Sequence, residues 1–512
     1  MASKAPTEDC PPLTGARLFI TAFGLALANF VVVLDTAIAN VSIPHIAGSL
    51  AVSPTQGTWA ITSYAVADAI SVPLTGWLAS RFGSVRWFTV SIVGFGIFSF
   101  LCGVSRTLEM LIFFRILQGL FGGPLMPLTQ TLLLRIFPKE KASVAITVWA
   151  MTTTAAPIFG PILGGYISDG WSWPWIFFIN LPIVVFVFFV ARSLTACYET
   201  PIARRAIDLV GLALLVLAVG SFQIMLDTGR ENDWFSSVWI VGLAVVAAIS
   251  FAVFLIWELT HPDPIVALRI FGNRSFSAAT AAISIGYAAF FSSVVLTPLW
   301  LQSVVGYTAT QAGLTVAWVG VGAVALSPVA ARLVGRIDVR IMISVGILWM
   351  GAISLLRAQW IVDATYWTYA LPQMLQGIGM PFFFIGLTAL AMGSVNPRDT
   401  ASAAGLMSFV RTLSGAIGTA IATTLWDNAS RTARAEAVGT LNGTTVTMAQ
   451  LQAGGLTADQ GRGVIERLVD AQTATIGVLH VFVLSACVFA VAGAVVWIAP
   501  RPKVGSAPIG GH

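Results

Sequence analysis

Apolar runs of about 20 residues, separated by short polar connections, recur from one end of this chain to the other. A helix of about 20 apolar residues crosses the ~30 Å hydrocarbon core of a bilayer, so each run is predicted to be one transmembrane helix. The runs cover residues 18–40, 57–79, 87–105, 108–133, 143–167, 174–192, 207–226, 236–257, 276–303, 310–334, 340–358, 366–391, 400–426 and 475–498. Fourteen spans make an all-α polytopic membrane protein with both termini on one side. Connections after odd-numbered spans hold few basic residues: Arg106, Arg230, Arg357, and Arg431, Arg434, Arg462 and Arg467 in one long connection at 427–474. The opposite face carries Arg81, Arg86, Arg135, Lys141, Arg269, Arg332, Arg336, Arg340 and others. By the positive-inside rule that basic face is cytoplasmic, and the long connection lies outside.

Composition agrees, with 57% hydrophobic and 10% charged residues and a mean hydropathy of +0.86, which excludes an ordinary soluble domain. A pI of about 9.2 would point to nucleic acid in a soluble protein. Here the basic residues sit in loops between apolar segments, so no nucleic-acid partner is expected. The N-terminal tail, 1–17, holds two acids and three prolines but no apolar h-region, so the first span is expected to be retained. Cys10, Cys102, Cys197 and Cys487 show no CxxC or His/Cys spacing; neither a disulfide framework nor a metal site is expected.

Four full charges fall well within the runs, away from their ends: Asp35, Asp68, Arg115 and Arg411. An acid at the bilayer centre costs about 2.5–3.5 kcal/mol on insertion scales, and such residues commonly mark proton or substrate paths. Counted at 1.5 Å per residue, Asp35 lies ~7 Å and Arg115 ~10 Å inside the same face, level enough to pair. The pair is either a static salt bridge or a proton-coupling device. Asp68 in span two is a second proton site, a contact for cationic compounds or a satisfied polar group. Arg411 in span thirteen caps carbonyls, pairs across a cavity or binds an anionic ligand group. A faint internal repeat relates "RILQGLFGGP" (Arg115–Pro124) to "QMLQGIGMP" (Gln373–Pro381), as in transporters built from duplicated halves. Gln373 then stands where Arg115 does, and Gln373 and Met374 join Arg411 as candidates for an apolar substrate cavity.

Three motifs frame these charges. "GWLASRFGSVRWF" (Gly76–Phe88) joins spans two and three, with Gly76 and Gly83 permitting close contact and Arg81 and Arg86 facing headgroups or helix ends. It serves topology or gating. In "RILQGLFGG" Gly119 follows Arg115, and in "APIFGPILGG" (Ala156–Gly165) Pro157, Gly160, Pro161 and Gly164 make a kinkable, close-packing helix. In this order the motifs resemble those of the major facilitator superfamily. With "LDTAIANVSIP" (Leu34–Pro44), "WPWIFFINLP" (Trp173–Pro182) and "FVRTLSGAIGT" (Phe409–Thr419), the chain resembles the fourteen-span drug:proton antiporters, and within them the EmrB-type multidrug exporters. One departure is Ser80, where the superfamily carries an acid that locks a closed state.

The resemblance implies two six-helix bundles, 18–192 and 276–498, with two extra helices, 207–257, between them, and a cytoplasmic tail at 499–512. It implies proton-coupled efflux of hydrophobic drugs across a bacterial inner membrane, with the proton gradient as energy source and no cofactor. Its partners would be membrane lipids and a periplasmic adaptor of the EmrA membrane-fusion type, docking on the 427–474 connection and leading to an outer-membrane channel. In that connection, helix-like apolar spacing interrupted by glycines predicts short amphipathic helices. A narrow metabolite exporter or importer is the alternative. A membrane enzyme or receptor is disfavoured, since no ligand-spaced His/Cys/acid cluster, Walker loop or nucleophile elbow occurs.

Overall fold

The computed structural model describes residues 10–138, 141–202, 208–396, 399–440 and 444–501. In chain order α1 (Gly15–Ser49), α2 (Pro54–Gly57), α3 (Trp59–Ser71), α4 (Thr75–Phe82), α5 (Ser84–Gly103), α6 (Leu108–Gly122), α7 (Leu125–Ile136), α8 (Ala142–Gly170), α9 (Trp175–Phe178) and α10 (Asn180–Leu194) form the N-terminal half. Then α11 (Leu209–Thr228) and α12 (Val238–Thr260) pair with each other, and α11 leans on α3. The C-terminal half holds α13 (Arg274–Ser303), α14 (Ala309–Leu333), α15 (Val339–Arg357), α16 (Tyr366–Met392), α17 (Thr400–Thr440), α18 (Thr444–Ala453) and α19 (Ala458–Val495). No β-strand occurs among the described residues.

Helix ends follow local chemistry. Asn273 Oδ1 accepts the Ser275 N–H at 2.9 Å to start α13, and Thr308 with Gln311 and Thr457 with Gln460 form capping boxes on α14 and α19. Between α4 and α5, Gly83 turns the chain at φ 92°, a conformation open to glycine. Pro73 and Pro124 lie in the joints that break the second and fourth spans into α3/α4 and α6/α7.

Twelve helical stretches among the described residues are long and apolar enough to cross a membrane. Of the two other expected spans, the second is divided into helices of 13 and 8 residues, and the fifth is the single 29-residue helix α8, some of whose side chains lie outside the described residues. The side chains of Pro157 and Pro161 lie outside the described residues. The first helix runs nine residues past its expected end at 40, through Pro44 to Ser49.

Two expectations need correction. Cys10 and Cys197 form a disulfide, with Cα atoms 6.2 Å apart, tying the N-terminal tail to the segment after α10. Their 187-residue separation hid the pairing from local spacing rules. The 427–474 connection holds one short helix, the ten-residue α18 (Thr444–Ala453), where several were expected. Instead α17 continues to Thr440 and α19 starts at Ala458, so both membrane helices project as one hairpin. Arg434 binds Glu466 at 3.0 Å and Asp470 at 3.2 Å across it, and nothing between Asp427 and Val438 breaks a helix. Gly455, at φ 92°, does turn the chain, whereas Gly461 and Gly463 are absorbed into α19.

The halves meet where α8 lies on α14 and α4 lies on α17. A Cβ on Gly76 would fall 2.7 Å from Ser402 Cα, so only glycine allows α4 this close to α17.

Candidate functional site

Helix α1 presents Asp35 to α6, and the structure brings Asp35 and Arg115 together: Arg115 Nη1 donates to Asp35 Oδ2 at 2.5 Å. Both are buried, at 1% and 0% exposure. Separating such a pair in low dielectric is costly, because a lone buried charge keeps its desolvation penalty. The second carboxylate oxygen accepts from Gln118 Nε2 at 3.1 Å and Asn180 Nδ2 at 2.8 Å. Arg115 also donates through Nε to the Ala60 carbonyl at 2.9 Å and through Nη1 to Gln118 Oε1 at 3.0 Å, and Tyr64 lies face-on 4.2 Å away. Ser99 completes the cluster, accepting from Asn180 at 3.0 Å and donating to the Phe177 carbonyl at 2.9 Å. Helices α1, α3, α5, α6, α9 and α10 thus converge on one carboxylate.

Helix packing around this cluster explains the motif glycines. A Cβ on Gly119 would fall 2.6 Å from the Tyr64 carbonyl oxygen, and one on Gly164 3.0 Å from the Ile38 carbonyl oxygen. Gly160 abuts Ala37, with its carbonyl carbon 2.9 Å from the same constructed position. The glycine-rich part of α8 therefore rides directly on the backbone of α1, two residues beyond Asp35. Farther along, Ser42 and Ser168 hydroxyls join at 2.7 Å, and Asn29 reaches Thr152 and Thr153 at 2.9 and 2.8 Å.

Asp68 and Arg411 lie elsewhere, between the halves. Arg411 comes from α17 yet sits against N-terminal-half residues: its guanidinium contacts the Met126 sulfur and stacks 4.8 Å from Trp149, with Tyr287 at 5.6 Å. Its Nη1 makes no hydrogen bond among the described residues. Aromatic faces, not the carbonyls of its own helix, hold this cation. The Asp68 carboxylate is half-buried beside Gly123 and within electrostatic reach of Arg411 and Arg115. Tyr287 leads into an aromatic group with Phe290, Phe291 and Phe384. Gln373 is not at this interface; it bonds Arg357 inside the C-terminal half, and the Met374 carbonyl abuts Gly322 of α14.

At the basic face, Glu199 fills the neighbourhood where Ser80 leaves the loop without an acid. Its carboxylate accepts the Val85 and Arg86 N–H groups at 2.9 and 3.0 Å, capping α5 from the far end of the half, while Ser80 only bonds the Trp77 carbonyl. Gly83 lies directly under that carboxylate. Arg86 stays exposed, 3.8 Å from Glu199, and Arg81 stacks on Trp77 and Phe82.

Gln118, Asn180 and Glu199 do not stand out in the sequence, because neutral amides and loop acids carry no burial anomaly there. Arg357 escaped because it ends an apolar run and reads as a connection residue, although it is 1% exposed.

The model of the Major Facilitator Superfamily matches residues 25–419. This chain belongs to that superfamily, in its EmrB-type branch. The transporter is 45% identical over 505 residues to the multidrug export protein EmrB of Escherichia coli, covering 98% of each chain. It is 40% identical to the fatty acid resistance protein FarB of Neisseria gonorrhoeae, over 96% of this chain and 98% of that one. Its fold is similar to that of the human organic anion transporter MFSD10, with a TM-score of 0.57 at 13% identity over 93% and 100% of the two chains. It is similar too to a bacterial homolog of the lysosomal transporter Spinster, at 0.54 and 13% over 95% and 98%. The family makes the chain a multi-pass membrane transporter and not an enzyme.

Proposed function

We propose that this transporter exports hydrophobic toxic compounds across the bacterial inner membrane in exchange for protons, as the inner component of a tripartite efflux system. The observation that carries the coupling is the buried Asp35–Arg115 pair with its Gln118 and Asn180 donors. Moving a cationic partner changes a carboxylate's hold on a proton. Asp35 sits on α1 and Arg115 on α6, and α8 rides on α1, so a rocking motion of these helices trades the Arg115 contact for a proton. The aromatic group around Tyr287, with Arg411 against it and Asp68 from the other half within electrostatic reach of Arg411, suits apolar compounds carrying either charge. Asp68 then serves as a second proton or cation contact. Gly76 against Ser402 closes the halves on the basic, cytoplasmic face, where both termini lie. The projecting α17/α19 hairpin is the docking surface for a periplasmic adaptor.

The test is transport in proteoliposomes under an imposed pH gradient. Asp35→Asn keeps the shape and removes the titratable proton, so gradient-driven export is expected to fall to background while the purified protein stays folded. Normal pH-driven export by this variant would sink the proton role. Shortening 427–474 to a Gly/Ser linker is expected to preserve that transport and abolish adaptor co-purification.

A further inference from the structure

The C-terminal half contains a buried cation, Arg357, that no acid balances among the described residues. Arg357 closes α15, and its Nη2 donates to Gln373 Oε1 at 2.6 Å and to Gln376 Oε1. Trp360 and Phe482 face the guanidinium at 5.9 and 5.8 Å. Among the described residues no carboxylate lies within ion-pair distance of it. The carbonyl end of its own helix carries roughly half a negative charge, which leaves part of the charge uncompensated.

The hydrogen-bond inventory is one-sided. Arg357 Nε and Nη1, Gln373 Nε2 and Gln376 Nε2 make no hydrogen bond among the described residues. Both amide oxygens are committed to the guanidinium, so both NH2 groups point their protons elsewhere. Four unpartnered donor atoms thus belong to three buried neighbours, and among the described residues no acceptor meets them.

The internal repeat tells what belongs there. "VVLD" (Val32–Asp35) of α1 recurs as "VVLT" (Val294–Thr297) of α13, and "RILQG" recurs as "QMLQG". By this repeat Thr297 corresponds in sequence to Asp35 and Gln376 to Gln118. The last turn of α15, with Arg357, corresponds to that of α5, where Cys102 approaches Gln118 Oε1 at 3.5 Å. In the N-terminal half a carboxylate collects the donors. In the C-terminal half the equivalent side chain is a hydroxyl, buried and unpartnered.

We propose that Arg357, Gln373 and Gln376 form a binding site for a small monovalent anion of chloride or formate size, standing where Asp35 provides a fixed carboxylate in the other half. All three residues are exposed by 2% or less, which favours a small anion that the protein can enclose. The site requires neither proton coupling nor a particular exported compound.

The test uses the full chain in detergent, unfolded thermally at constant ionic strength in sodium chloride, bromide, formate or gluconate. Chloride and bromide are expected to raise the midpoint saturably by about 2–4 °C over gluconate, and Arg357→Gln to lose the rise. A response to formate alone would assign the same site to carboxylates. Equal midpoints in all four salts, or an unchanged chloride response in Arg357→Gln, would overturn the proposal. Should that variant fail to fold, wild-type crystals soaked in bromide and in formate decide: a bromide anomalous peak or formate density within hydrogen-bonding reach of Arg357 Nε or Nη1 supports the site, and the absence of both overturns it.

Discussion

In the N-terminal half, an arginine on one helix faces an aspartate on another, with two amides completing the carboxylate's shell. In the related place of the C-terminal half, an arginine from a different helix faces two glutamines and no acid. The scaffold is shared: the LQG element, the close glycine contacts and an aromatic backing recur on both sides. What differs is where the negative charge comes from. A carboxylate can take up a proton and a threonine hydroxyl cannot, so the proposed proton exchange belongs to the N-terminal copy. Duplicated architecture thus carries an acid at one of the two related places and a hydroxyl at the other.

The largest expected effect comes from breaking the N-terminal pair on one side. Arg115→Ala leaves the Asp35 carboxylate buried without its cation and is expected to destabilise the protein by about 3–5 kcal/mol, read from denaturant or thermal unfolding in detergent. Arg115→Lys keeps the charge and loses the fork, so it should retain part of both stability and transport. A cost for Arg115→Ala below about 1 kcal/mol would show that the pair contributes little.

Next comes the contact that closes the halves. Gly76→Val sets a side chain against the Ser402 backbone, which cannot yield as a flexible side chain would, and is expected to cost about 1–3 kcal/mol. Thiol labelling of a cysteine placed at Ser402 should become faster in Gly76→Val. Gly405→Ala is a milder control, since its Cβ would meet the Val72 carbonyl oxygen at 3.2 Å. Equal labelling rates in Gly76→Val and the parent would remove Gly76 from any gating role.

Thr297→Asp converts the C-terminal copy toward the N-terminal pattern. The added carboxylate is expected to replace the exogenous anion, shrinking the ~2–4 °C difference between chloride and gluconate to near zero. A persistent difference would mean that the repeat does not superpose these two positions.

The smallest effect lies at the basic face, where α15 begins with its own acid cap. Hydrogen bonding from Arg340, partly opposed by burial, holds the Asp338 carboxyl below the usual carboxylate range. Because the folded value is depressed, this stabilisation is present above about pH 4 and fades as the pH falls through the folded value. Asp338→Asn should remove it at neutral pH, at a cost under about 1 kcal/mol for a partly exposed pair, and should flatten the acid limb of a stability profile. Glu199 caps the equivalent helix α5 from the end of its half, so Glu199→Gln separates a local cap from a long-range one.

Much of this was legible in one dimension because a bilayer forces the backbone to satisfy itself within helices. Apolar runs therefore locate helices, and charges inside those runs stand out. Asp35, Arg115, Asp68 and Arg411 were visible for that reason, as was the LQG repeat. The division of the second span was harder to see, since a proline in an apolar run can kink a helix or end it. The continuation of α17 to Thr440 was missed because a polar, helix-prone stretch outside the bilayer reads alike as loop or as helix.

By itself the sequence determined that this chain is helical, membrane-embedded and internally duplicated, because solvent transfer and helix periodicity act on local composition. Only the tertiary structure decided which polar atoms share one place. Asn180 reaches Asp35 from 145 residues away, Glu199 caps a helix 114 residues earlier, and Cys10 meets Cys197. Arg357, read from the sequence as a connection residue, is buried because two glutamine oxygens and two aromatic rings close over it. Such placements depend on the close approach of whole helices. That approach is set by small residues distributed over many segments, and no single stretch of the chain records it.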